Sequence, residues 1–528
     1  MKTYKVAFPI GISLMFGFRA WSSPVIDASL QKADTGIIVI NLREMKYVGN
    51  VDERYQSYNV EMAEVVGGEF WRPYKTMDSL PSSTTFDFSK RNEQMFRKLP
   101  PVNLSDKRLM NLAKALAPAY VRVSGTWTNT VYFQDDDNPQ QKAPEGFVNT
   151  LTRKEWKGVI DFVKATNSKL VTSFAVSKGV RDANGVWTSR EAEKIVNYTK
   201  SMGGHIAGAE LFNEPTIAMA GGVDTNYNAA DFAKDVAVYE AWAKKDVPNM
   251  LLIGPGSTAE GIPGVPVAKL MKQFLTTDAL MSAEPKPRFD IFSYHYYGAV
   301  SMRVLKSGPF SIKAENALNA DWLQRTNVVA DYYIGLRDKY NPGKPVWVTE
   351  TAEASGGGDP FAATYLDCFR YLYQLGSLAK KGVQVVMHNT LAASEYSLID
   401  QDTHLPKPNY WAALLWAKLM GTKVYEAGKG TSGVYLFAHS LKGGKDGIAL
   451  LVLNPNLSAT TISIPTGAEQ YTLTANELQS DRVKLNGEEL KLSEDDMLPA
   501  IKYKKIKAGN VELPSASISF MVFENGMK

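Results

Sequence analysis

Eight short apolar runs recur between residues 56 and 387, and the stretches between them carry helical patterns. The runs are residues 56–63, 120–124, 170–176, 206–212, 251–254, 289–294, 345–349 and 383–387. Helices between strands leave room for parallel pairing, since a parallel connection needs a crossover of a dozen residues or more. Eight such units predict an α/β chain whose strands close into a (β/α)8 TIM barrel over residues 56–424. An open doubly wound sheet is the competing arrangement. It is weakened by the lack of a Gly-rich phosphate loop after the first run.

Helix signals support the alternation. Leu109, Leu112 and Leu116 fall on one helical face, with a start expected at Asn103–Ser105. Thr188 and Glu191 have the spacing of a capping box, and that helix should stop at Gly203-Gly204. After residue 425 helical spacing disappears. Residues 434–438, 448–453, 460–464, 471–474, 483–485 and 518–523 read as short strands between turns. Residues 425–528 are therefore expected to form an antiparallel β-sandwich, and residues 24–55, strand-like over 37–42, to add to it.

The N-terminus has Lys2 and Lys5 before an apolar run over residues 6–18, too short to span a membrane. Residues 1–23 are expected to be a signal peptide and the protein to be secreted or periplasmic. No other run is long enough to cross a bilayer. A net charge of +4 without a dense Lys/Arg tract argues against a nucleic-acid partner. Cys368 is the one cysteine, which excludes an intramolecular disulfide and a Cys-based metal site. Its apolar neighbours suggest a buried helix.

Active sites of such barrels lie at the C-terminal ends of the strands. The fourth run ends in Glu210-Leu211-Phe212-Asn213-Glu214-Pro215, and the seventh, Pro345-Val346-Trp347-Val348-Thr349, ends in Glu350. Glu214 and Glu350 would then face each other across the barrel mouth. Two facing carboxyl groups suit cleavage of a glycosidic bond: one protonates the leaving oxygen, the other attacks the anomeric carbon. A negative neighbour also raises the pKa of its partner, which separates the two roles. Glu210 is expected to be paired in the interior or to face the helices, and Glu353 to be a loop acid near the mouth. His295 and His388, on the sixth and eighth runs, fit the orientation of a carboxylate or sugar hydroxyl better than metal binding. No metal or cofactor is expected. Trp127 and Trp187 suit sugar stacking and structural packing equally.

"ELFNEP" with "VWVTETAEASGGG" resembles the family of heparanases and retaining β-glucuronidases. "YVRVSGTWTNTVYF", "SYHYYG", "EYSLID", "NYWAALLWAKLMGTKVY" and "VKLNGEELKL" extend the likeness over most of the chain. The resemblance implies a (β/α)8 barrel with Glu214 as acid/base and Glu350 as nucleophile. It implies that Asn213 binds the sugar 2-hydroxyl and that Tyr297 orients the nucleophile. Gly356 and Gly357 would offer backbone N–H groups to a uronic-acid carboxylate, completed by Tyr396. Glu61 stands where the family has an Asp that holds sugar hydroxyls. The implied partner is an oligo- or polysaccharide containing glucuronic acid. A glycosidase for a neutral sugar would not need the carboxylate receptor, and a non-catalytic carbohydrate-binding protein would not need both Glu residues.

Overall fold

The computed structural model describes residues 37–77, 95–263, 271, 273–305, 307, 310–428, 430, 433–444 and 446–524; the expected signal peptide lies outside them. Eight parallel strands close into a barrel. They are β1 (Gln56–Glu61), β2 (Ala119–Ser124), β3 (Ser168–Ser173), β4 (Ile206–Glu210), β5 (Leu251–Ser257), β6 (Ile291–Val300), β7 (Val346–Ser355) and β8 (Val383–His388). Each corresponds to one of the eight apolar runs. The apolar density reflects burial on both faces: outward side chains meet the helices, inward ones fill the barrel. The floor of the barrel is an apolar layer of Tyr120, Val171, Ala207, Ile253, Ile291, Trp347, Val385 and Met387. Polar and charged side chains lie further along the same strands.

Several local expectations are corrected. Residues 62 and 63 begin the helix Met62–Val66, capped at Glu61, rather than extending β1. The helix Lys107–Ala115 is capped by Asp106, whose side chain accepts from the Leu109 N–H at 2.9 Å, not by Asn103–Ser105. Thr188 does not cap the helix Arg190–Ser201. Ser189 takes the N-cap position, and the Thr188 hydroxyl donates to the Val180 carbonyl at 2.6 Å. That helix does end at Gly203, in the left-handed region at φ +66°. β6 and β7 run beyond the barrel as a paired extension from Tyr297↔Ala352 to Val300↔Ser355. β7 therefore does not stop at Glu350, and Glu353 is a fully buried strand residue, not a loop acid.

Two of the sheets outside the barrel combine strands that follow it with one strand each from before it. The larger runs through Tyr47–Asn50, Met420–Tyr425, Tyr435–Leu441, Gly447–Asn454, Ser517–Glu524 and Ala468–Thr474. The smaller joins Ile38–Val39, Thr460–Ile464 and Gly509–Leu513. Strand Gly447–Asn454 is apolar throughout because both its faces are buried. Ile448, Leu450 and Val452 pack with Ile38, Ile462 and Leu513 of the small sheet. Ala449, Leu451 and Leu453 pack into the continuous core of the barrel helices. Cys368 is buried on the helix Tyr365–Lys380, which covers this junction.

Gly376 of that helix fixes how closely helix and sheet approach. A Cβ there would lie 2.2 Å from Cγ of Phe437. In an exposed helix Gly→Ala gains about 1 kcal/mol. Here overpacking costs about 1–3 kcal/mol, so Gly376→Ala is expected to lower stability, read as a lower midpoint in urea unfolding with an unchanged slope.

Candidate active site

The polar layer is organised around Arg122. Arginine inside a barrel strand is costly unless its charge is paired and its N–H groups are bonded. Arg122 meets both conditions with no exposed surface. Its Nη2 donates to Glu210 Oε2 at 2.7 Å and Nε to the same oxygen at 3.0 Å. Its Nη1 donates to Glu350 Oε2 at 2.9 Å, and Nη2 also reaches Asn213 Oδ1 at 2.8 Å. Glu210 is buried and faces inward. Its other oxygen accepts from Ser293 at 3.0 Å and Thr349 at 2.7 Å.

Local strand irregularity aims these groups. Neighbouring strand residues ordinarily point to opposite faces. The β6–β7 register shifts between Tyr294 and His295, so that His295 pairs with Glu350. This bulge lets both Thr349 and Glu350 reach into the barrel. On β6 the ordinary period of two directs Ser293, His295 and Tyr297 inward.

Glu214 and Glu350 are brought together: a carboxylate oxygen of each and a ring nitrogen of His295 all lie within 4.8 Å of one another. Glu214 follows β4 in the left-handed region at φ +57°. It is the more exposed of the pair, at 18% of its side chain against 8% for Glu350. His295 Nδ1 lies 3.1 Å from Glu214 Oε1, and Nε2 lies 3.2 Å from Arg122 Nη2.

Burial acts to raise the Glu350 pKa. His295 and Arg122, with hydrogen bonds from Tyr297 and Arg122, outweigh it and hold the group below the ordinary glutamate value. The Tyr297 hydroxyl donates to Glu350 Oε1 at 2.6 Å and accepts from Asn389 Nδ2 at 2.9 Å. Asn389 Nδ2 also donates to the Tyr396 hydroxyl at 3.2 Å. Glu61 is buried at the end of β1. Burial first, then the charge of Glu350, push its pKa well up. It fits only because Gly125 has no side chain: a Cβ there would lie 1.7 Å from Glu61 Oε2. Asn213 is held on its backbone by Asn129, which bonds both its N–H and its carbonyl at 3.0 Å.

Gly356, Gly357 and Gly358 have φ of +81°, +87° and +78°, a run of left-handed residues open in practice to glycine alone. Gly358 N–H donates to the Ala354 carbonyl at 3.1 Å. Among the described residues, the N–H groups of Gly356 and Gly357 have no acceptor. The turn packs beside Tyr396, which lies 3.0 Å from where a Gly358 Cβ would be.

Of the residues expected at the site, Asn213, Glu214 and Glu350 are brought together around Arg122 and His295, Tyr297 and Tyr396 join them through Asn389, Glu61 lies buried at the end of β1, and Gly356 and Gly357 follow β7, packed beside Ser301 and Trp71. His388 is apart in role. It is buried, bonds the Tyr396 carbonyl at 2.7 Å, and burial pushes its pKa down to about 3. Trp187 is core, its indole N–H on the Ala175 carbonyl at 2.9 Å. Trp127 is half-buried against Phe70. Sequence reasoning did not single out Arg122, Asn129 or Asn389. A charged residue between the valines of "YVRVS" was the available signal for Arg122.

Comparison with known proteins adds to this geometry. The family model "Glycosyl hydrolase family 79, N-terminal domain" matches residues 96–376. Heparanase of Mus musculus is 26% identical, covering 88% of this chain and 94% of its own. Baicalin-beta-D-glucuronidase of Scutellaria baicalensis is 27% identical, covering 80% and 83% respectively. Hyaluronoglucuronidase of Hirudo nipponia is 26% identical, covering 80% and 90%. Among solved structures, a 4-O-alpha-L-rhamnosyl-beta-D-glucuronidase from Fusarium oxysporum superposes with a TM-score of 0.60 at 14% identity, covering 92% of this chain and all of its own. The GH51 arabinofuranosidase from Xanthomonas axonopodis pv. citri gives 0.61 at 16% identity, with the same coverage. At such identities these two likenesses are of fold.

Proposed function

The chain belongs to glycosyl hydrolase family 79, and from that premise we propose that it hydrolyses β-linked glucuronides with retention of configuration. Glu350 is the nucleophile and Glu214 the acid/base. The observation that carries the reaction type is the approach of the two carboxylates to within 4.8 Å. Retaining pairs stand about 5–5.5 Å apart, whereas inverting pairs leave about 6.5–9.5 Å for a water between them.

In the first step a Glu350 oxygen bonds to the anomeric carbon. The glycosidic bond breaks, and its oxygen takes the proton of Glu214. In the second step Glu214 takes a proton from water, the water oxygen bonds to the anomeric carbon, and Glu350 leaves. Tyr297 and Arg122 stabilise the carboxylate before attack and after departure. Arg122 and Ser124 occupy Asn213 Oδ1, so Nδ2 is the end that meets a sugar 2-hydroxyl. Glu61, whose pKa burial and the Glu350 charge push up, hydrogen-bonds a sugar hydroxyl.

The acceptor-free N–H groups of Gly356 and Gly357 support uronate as the sugar, since a turn with unpaired backbone N–H groups can cup an anion. The relatives named heparanase, baicalin-beta-D-glucuronidase and hyaluronoglucuronidase agree with that choice. Hydrolysis of an aryl β-D-glucuronide beside the matching β-D-glucoside and β-D-xyloside tests it. Preference for the glucuronide, with the β-anomer of glucuronate as first product by NMR, is expected. Preference for either neutral sugar would overturn the substrate, and α-anomer as first product would overturn retention.

A further inference from the structure

Every carbonyl of the glycine turn is held from behind. Ser355 O accepts from Ser301 N–H at 2.9 Å, and Gly357 O from Glu395 N–H at 3.0 Å. Gly356 O accepts from Ser301 Oγ at 2.8 Å and Arg303 Nη1 at 3.2 Å. Gly358 O accepts from the same Nη1 at 2.8 Å and from the Tyr74 hydroxyl at 3.1 Å. Arg303 is itself fully buried and fixed on its remaining sides. Nε donates to Arg72 O at 3.1 Å, Nη2 to Glu395 Oε1 at 3.3 Å, and the guanidinium lies 3.8 Å from the Tyr74 ring centroid.

The N–H and C=O of a trans peptide point in opposite directions. A donor on Ser355 O therefore turns the Gly356 N–H away from the β6 loop. The donors on Gly356 O do the same for the Gly357 N–H. These are the two N–H groups without an acceptor. A cation on the carbonyl end of a peptide also polarises the unit and strengthens its N–H as a donor.

We propose that Arg303 is the positioning residue for uronate selectivity, acting on the sugar carboxylate through the Gly356–Gly357 peptide rather than by touching it. The inference rests on reading the turn as the uronate receptor. It assigns the charge that recognises the anion to a side chain the substrate never meets. Tyr74 and Glu395 hold that side chain in place.

The test compares kcat and KM for an aryl β-D-glucuronide and the matching β-D-glucoside in the parent, Arg303→Met, Arg303→Lys and Tyr74→Phe. A hydrogen bond to a charged group contributes about 1.5–3 kcal/mol. Arg303→Met is thus expected to lower the glucuronide/glucoside ratio of kcat/KM by about 10- to 100-fold. The loss should lie mainly in KM for the glucuronide, because the carboxylate is bound before and during reaction. Arg303→Lys, which keeps the charge without the fork, should restore part of the ratio. Tyr74→Phe removes one hydroxyl and carries the test if Arg303→Met does not fold; it should lower the ratio a few-fold. An unchanged ratio in folded variants, or equal losses on both substrates, would overturn the proposal while leaving the glucuronidase reading intact. A parent with no preference for the glucuronide would overturn both.

Discussion

Replacing Glu350 with Gln is expected to lower kcat on an aryl β-D-glucuronide by about 10⁴-fold or more, the scale seen when a covalent nucleophile is removed. The substitution keeps the shape, and with the amide oxygen on Arg122 the amide NH2 faces the Tyr297 hydroxyl, which can accept as well as donate; thermal unfolding checks that the fold survives. Glu350→Gly with added azide separates nucleophile from bystander. Azide in the vacated space can attack the anomeric carbon, giving the α-glucuronosyl azide and restoring turnover. Glu214→Ala with azide should instead give the β-azide, formed from the covalent intermediate, on substrates whose leaving group needs no proton. The opposite pairing of products would exchange the two roles. The pH profile carries the same assignment. Glu350 lies below the ordinary value of 4.5, so the acid limb of kcat/KM should fall below that pH.

Arg122→Met should have the next largest effect, on stability and activity together. The variant leaves Glu210 and Glu350 in the interior without their common cation. Breaking a buried ion pair from one side costs about 3–5 kcal/mol. Burial acts to raise the Glu210 pKa, but Arg122 above all brings it below 4.5. Glu210 and Glu350 are thus both depressed in the folded state. Such groups contribute stability that is complete above their unfolded values and is lost as pH falls through the folded ones. In Arg122→Met that contribution shrinks. The acid limb of kcat/KM should move to higher pH as Glu350 loses its positive neighbour. Unchanged unfolding and an unchanged acid limb would show that Arg122 does not hold the two carboxylates ionised.

The barrel was legible because burial on two faces writes a parallel strand as a dense apolar run. The site was legible where acids interrupt such runs at their ends, as at Glu214 and Glu350. The extension of β6 and β7 was not. Tyr297–Val300 pairs with Ala352–Ser355 outside the barrel, and "TAEAS" has the polarity of a loop. Glu353 went the same way, since only the fold reveals that the extension is covered. Arg122 is the instructive case. Between two valines it reads as the outward half of an alternating strand, and only closure of the barrel turns that position inward. Its partners Glu210 and Glu350 lie on other strands, 88 and 228 residues away, a separation that no local pattern can encode. The turn at Gly356–Gly358 was visible as three glycines, but Arg303 behind it was not.

Strand Gly447–Asn454 and its neighbour Ser517–Glu524 belong to two cores at once, one shared with the barrel helices and one with the small sheet. The C-terminal region is therefore not an appendage that can be cut away. Ending the chain after Leu419 would strip the cover from Tyr373, Gly376 and the rest of the helix between β7 and β8. That helix sets the spacing of the two strands bearing Glu350 and Asn389. Barrel and sheets should melt as one cooperative unit, in a single calorimetric transition. Truncation or a fusion point at residue 425 should then fail at the level of folding, before any question of catalysis arises.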